Sequence, residues 1–120
     1  GTRELGIEWE GIRRAVVYDG FSVYLVPSRD GVCLVPDSPR TGTGLFCRSR
    51  DIALAGKLSE PISDRDTRVI VGVVPDGVTE VTVEDDSVRR VPVEGNAYVA
   101  RVGDGTARIS WGGGHVIWPE

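Results

Sequence analysis

The chain contains no methionine and no glutamine, one lysine (Lys57), one histidine (His115) and two cysteines, Cys33 and Cys47. Each scarcity closes a route. A structural zinc site wants four N or S ligands, and two Cys with one His do not supply them. The cysteines lie 14 positions apart and not in a C-x-x-C pair, which excludes a thioredoxin-like redox motif. Any Ser-His-Asp or Cys-His mechanism would have to use His115 as its base, and no G-x-S-x-G elbow accompanies it. No apolar run approaches the ~18 residues of a membrane-spanning helix, and no signal-peptide core is present. The missing methionine, with Gly at position 1, reads as a processed chain or a piece of a longer one, its anchor or signal lying upstream. Arg, Gly, Val, Asp and Pro in place of Lys, Asn and Gln suggest a GC-rich bacterial genome, which concerns codons and not function.

What is present fits one domain over residues 1–120. A chain of this length buries roughly 65% of its unfolded surface, enough for a core without a metal. The net charge of −4 gives no whole-domain field for nucleic acid.

With zinc and C-x-x-C chemistry set aside, the cysteines are either a disulfide or two free thiols. Cys33 sits in the apolar run Val32-Cys-Leu-Val35, and Cys47 follows the glycine-rich Thr41-Gly-Thr-Gly-Leu-Phe46. A Cys33–Cys47 bridge would tie a flexible loop to a core strand. Closing a loop of this size contributes about 3 kcal/mol in the chain-entropy picture. The disulfide is the preferred reading, and it places the chain in an oxidising, extracytoplasmic compartment.

Residues 5–14 fit both helical and strand spacing, and a short helical turn leading into a strand is expected. Beyond Arg14 the pattern is β. Strands are expected at 15–18, 22–26, 32–35, 68–74, 78–83, 88–93, 97–102, 107–111 and 115–118. Turn chemistry separates them, as at Asp19-Gly20, Pro75-Asp-Gly77 and Gly112-Gly-Gly114. Apolar residues on both faces of 22–26 and 32–35 call for central, doubly covered strands. Residues 36–47 and 59–66 read as irregular surface loops. One short helix is expected at about 51–58, with Asp51 as its cap. The fold class is mostly β: an antiparallel β-sandwich or partly open barrel with that one helix.

Candidate chemistry is sparse. His115 reads as an exposed strand-end residue. Glu84-Asp-Asp86, and Asp64 with Asp66, lack the calcium-loop pattern and read as solvated turns. Gly42 and Gly44 lack the Gly-Lys-Ser/Thr of a phosphate loop. Arg48 and Arg50 beside the expected helix start could attract an anion, although Asp51 opposes it. The Arg13-Arg14 and Arg89-Arg90 pairs point to opposite strand faces and read as solvated charges paired with Asp and Glu. Trp111 and Trp118 flank the glycine triplet; they suit core packing, or with Tyr98 a sugar-binding groove. No metal or cofactor is implied.

Leu5-Gly-Ile-Glu8 before Arg13-Arg14, the cysteine pair around a glycine-rich loop, Val74-Pro-Asp-Gly-Val78 and Val93-Glu-Gly-Asn-Ala-Tyr98 together resemble a group of uncharacterised actinobacterial membrane-anchored ectodomains. That resemblance covers most of the chain and rests on turns, strands and the Cys pair. It implies an extracytoplasmic location and brings no activity with it. The expected role is therefore non-catalytic, structural or protein-binding in the cell envelope, with no nucleic-acid partner and no membrane contact by this segment. A carbohydrate- or ligand-binding β domain using Trp and Tyr is the alternative.

Overall fold

A computed structural model describes residues 6–119. Trp9–Gly11 form one turn of 3-10 helix that leads into the first strand, as expected. Twelve strands follow: β1 (Arg13–Tyr18), β2 (Phe21–Ser28), β3 (Gly31–Ser38), β4 (Gly42–Thr43), β5 (Phe46–Ser49), β6 (Ser59–Asp64), β7 (Thr67–Val73), β8 (Glu80–Glu84), β9 (Val88–Pro92), β10 (Ala97–Val102), β11 (Ala107–Trp111) and β12 (Gly114–Trp118). A single short helix, α1 (Arg50–Leu54), lies between β5 and β6.

Among the described residues all strand pairings are antiparallel and fall into three sheets. The first runs β1-β2-β3, with β4 and β5 sharing the far edge of β3. The second is β10-β7-β6 and the third β12-β11-β8-β9. Strand alternation then sorts the core. Val69, Val71, Ala97 and Val99 face a cluster with Phe21, Val23, Leu25 and Leu34 of the first sheet. Their neighbours Ile70, Tyr98, Ala100 and Val102 face a second cluster with Val81, Val83, Val91 and Ile109 of the third. The second sheet is thus covered by a sheet on each face. The architecture is a mostly β stack with no closed barrel, in line with the expected sandwich or partly open fold.

Several local expectations need correction. The double covering expected of β2 and β3 is asymmetric: their second face meets only a small cluster of Val26, Cys33, Val35, Ile7, Tyr24 and Cys47. Residues 59–66 are not a loop. They supply β6, whose alternation of Ser59, Pro61 and Ser63 with Ile62 and Asp64 hides a strand behind polar residues and a proline. Residues 36–47 are likewise partly ordered, through the end of β3 and the short β4.

The helix is shorter than 51–58 and starts one residue earlier. Ser49 occupies the cap position and makes no side-chain capping bond, so Asp51 is a first-turn residue and not the cap. The helix stops in a Schellman arrangement: Lys57 N donates to Ile52 O and Gly56 N to Ala53 O. Gly56 takes φ +79, and a Cβ there would lie 2.1 Å from the Trp111 ring, so both conformation and space require glycine.

The cysteines form the expected disulfide. Cys33 and Cys47 sit directly opposite each other on β3 and β5, so the bridge pins β5 and the following helix to a central strand.

Candidate functional site

Three sheet edges lie on one side of the molecule: β1 of the first sheet, β10 of the second and β9 of the third. Between them is a groove of about 460 Å³ lined by Tyr18, Asp19, Arg89, Arg90, Val91, Val99 and Arg101. The hydrogen-bond parity of β10 decides what this groove offers. Asn96 O accepts from Val74 N, on the β7 side. In an antiparallel ladder, residues alternate between facing the neighbour and facing away. Tyr98 and Ala100 therefore bond to β7, while Ala97, Val99 and Arg101 turn their N–H and C=O outward. Ala97 is satisfied by Glu94, and the Arg101 carbonyl accepts from Arg89 Nη2. Among the described residues no strand pairs with the outward side of Val99.

The side chains around this edge form two clamps. Asp64 is almost fully buried and accepts both Arg40 Nε (2.8 Å) and Nη2 (2.7 Å), and also Arg101 Nη2 (2.9 Å). Arg101 Nε reaches Asp19 at 2.8 Å, and its Nη1 reaches Thr67. Hydrogen bonds from Arg40 and Arg101 outweigh burial and hold the Asp64 carboxyl well below the usual carboxylate range. Asp85 accepts Arg89 Nη1 at 2.8 Å and the backbone N–H groups of Ser87 and Gly103, each at 3.1 Å. Its carboxyl is also held low, first by the Arg89 hydrogen bond. Arg90 is the least engaged: its side chain is 76% exposed and meets only Glu80, at 3.6 Å. The groove thus has Val91 and Val99 at its floor, both buried, so that the unpaired backbone of Val99 does not reach solvent, and one available guanidinium, that of Arg90.

The residues singled out from sequence go elsewhere. Tyr98 is completely buried in the second core cluster, so it lines no surface groove. Its hydroxyl lies by Ser59 yet has no hydrogen-bond partner, and burial raises the phenol well above its ordinary range. Trp118 is half-buried and donates Nε1–H to Ser59 Oγ at 3.0 Å. Trp111 packs an edge on Gly56 and walls a separate depression with Asp76, Thr79 and Glu80. Trp118 and Tyr98 therefore meet at Ser59 inside the molecule, and no platform of the three forms at the surface. Arg48 is exposed, 4.0 Å from Glu60; Arg50 borders a smaller hollow with Arg13, Asp76 and Asn96. His115 is exposed on β12, opposite Ser110.

Asp64 and Asp85, expected as solvated turn residues, are instead buried or nearly so and gather Arg40, Arg101 and Arg89, and nothing in the sequence pattern joins Arg40 and Arg101 to them. The signal for Asp64 was its spacing of two from Ile62, which puts both on one face once β6 is recognised. The reading of Arg89 and Arg90 as partners of acidic residues matches their contacts with Asp85 and Glu80. Comparison with protein-family models, with curated proteins and with solved structures finds no match to this chain.

Proposed function

We propose that this chain is a non-catalytic binding domain of the extracytoplasmic cell envelope that takes an extended, acidic segment of a protein partner into the groove beside β10. The observation that carries this reading is a groove beside β10 rimmed by Arg90, whose largely exposed guanidinium meets only an exposed Glu80 among the described residues. Arg90 supplies a charge-assisted contact for a carboxylate, while Arg89 and Arg101 are held in place by their own acids. The compartment rests on the Cys33–Cys47 bridge, since persistent disulfides are rare in the cytosol, and on the likeness to membrane-anchored ectodomains.

Selection of random peptides displayed on phage against the immobilised chain tests this. Acid-containing peptides are expected to enrich. Arg90→Glu should weaken binding at least tenfold. Enriched peptides without acids, or binding indifferent to Arg90→Glu, would overturn the reading.

A second reading, carbohydrate binding, is favoured by the depression of about 530 Å³ beside Trp111, where Asp76, Thr79 and Glu80 supply polar groups. Quenching of Trp111 fluorescence by envelope oligosaccharides, lost in Trp111→Phe, would support it.

A further inference from the structure

A free sheet edge is a template for another strand, and natural proteins guard such edges with proline, charge, bulges or shortness. The edges of this chain can be compared one by one. β1 carries Arg13 and Arg14 and a register shift at Ala15. β4 has two residues, and β5 contains Arg48. β6 carries Glu60 and Pro61; the prolyl nitrogen faces away from β7, because Glu60 and Ile62 are the residues bonded to it. β9 carries Arg89, Arg90 and Pro92, and β10 is partly closed by the Arg89 guanidinium. β12 differs from all of these. Gly114-His-Val-Ile-Trp118 contains no proline and no Asp, Glu, Lys or Arg, and its register with β11 is unbroken.

Among the described residues no strand pairs with the outer edge of β12. Sheet order places β12 at the margin of the third sheet, and a hollow of about 330 Å³ lies along it, lined by Lys57, His115, Val116 and Ile117. Trp111 and Gly114 flank a two-residue turn and so form a hydrogen-bonded pair. Gly114, Val116 and Trp118 then bond to β11, leaving the backbone groups of His115 and Ile117 pointing out. Ile117 is 42% exposed on the outer face beside His115.

This edge is self-complementary, and we propose that β12 pairs antiparallel with β12 of a second copy of this chain, about a two-fold axis at Val116. In that register His115 lies opposite Ile117 of the other copy, and each such pair exchanges both its N–H···O bonds. Val116 meets its own counterpart as a close, non-hydrogen-bonded pair. Trp118 lies opposite Gly114, over which the Trp111 ring of the same chain already packs. A closed two-fold interface uses the same patch on both copies. Among the described residues Lys57 is the one cation lining the hollow, and its flexible stem lets the ammonium remain in water.

Sedimentation velocity over a wide range of protein concentration tests the proposal. The chain should pass from monomer to dimer. Ile117→Pro removes one outward N–H per copy, hence two ladder hydrogen bonds per dimer, and should weaken dimerisation roughly a hundredfold. Ile117→Lys places a charge on the edge and should weaken it at least tenfold; near-UV circular dichroism of both variants checks the fold. Val116→Cys should form an intermolecular disulfide on mild oxidation, whereas Arg108→Cys should not. A chain that stays monomeric at every concentration, or a dimer that both Ile117 variants leave intact, would overturn the proposal. The first outcome would instead leave β12 to a strand of a different protein.

Discussion

At the scale of single residues, Tyr98 shows best where sequence reading and structure part. A tyrosine in an alternating strand fits a binding surface as readily as a core. What decides is the strand's place in the stack, which one chain's periodicity does not contain. Tyr98 lies in the central sheet, and its ring fills the space above Gly72, where a Cβ would come 2.3 Å from the hydroxyl. That hydroxyl is buried without a partner. An unmatched buried polar group costs about 1–3 kcal/mol. Tyr98→Phe keeps the ring and removes the penalty, so stability should hold or rise by up to about 1 kcal/mol. Urea unfolding with an unchanged m-value checks this. A fall of more than about 1 kcal/mol would mean that the hydroxyl is satisfied after all, by water or by Ser59.

At the scale of elements, the strands with clear apolar alternation or apolar runs were legible. Those whose stability comes from their neighbours were not. β7 and β10 announced themselves through valines, whereas β6 did not, because Ser59, Pro61 and Ser63 take one face and Asp64 replaces an apolar residue on the other. β5 was hidden in a different way. Its residues Phe46–Ser49 gain their place from register with β3 and from the disulfide at its centre. Replacing both cysteines by alanine should therefore cost about 3 kcal/mol, the loop-closure contribution for a loop of this size. Urea denaturation measures the loss, and hydrogen exchange should locate it. Protection should fall first between Phe46 and Leu54, where the chain is otherwise held only by a short ladder and a five-residue helix. A loss below about 1 kcal/mol with unchanged protection in that segment would show that the β3–β5 ladder holds without the bridge.

At the scale of the whole molecule, three stacked layers meet along two seams, and a buried or nearly buried aspartate holds each one beside the β10 groove. Asp64 gathers Arg40 and, through Arg101, Asp19, joining the first sheet to the second. Asp85 takes Arg89 of the third sheet and the Gly103 N–H that follows β10 of the second. The arginines that border the groove are thus fixed by the same contacts that hold the layers together. Both carboxyls titrate below their ordinary range. The unfolded chain therefore binds more protons than the folded one in the acid range, so stability rises with pH there. The contribution is complete above the unfolded aspartate value of about 3.9 and is lost as pH falls from there toward the lower folded values. The urea midpoint should accordingly stay nearly level from neutrality down to about pH 5 and drop steeply below about pH 4. An Asp64→Asn, Asp85→Asn double variant should be less stable at neutral pH and show a shallower acid slope. The proposed affinity for acidic peptides should fall in the same variant even at neutral pH, because Arg89 and Arg101 would no longer be held in place at the groove. An unchanged acid slope would mean that other carboxylates govern acid unfolding and that the two seams are held by apolar contact alone.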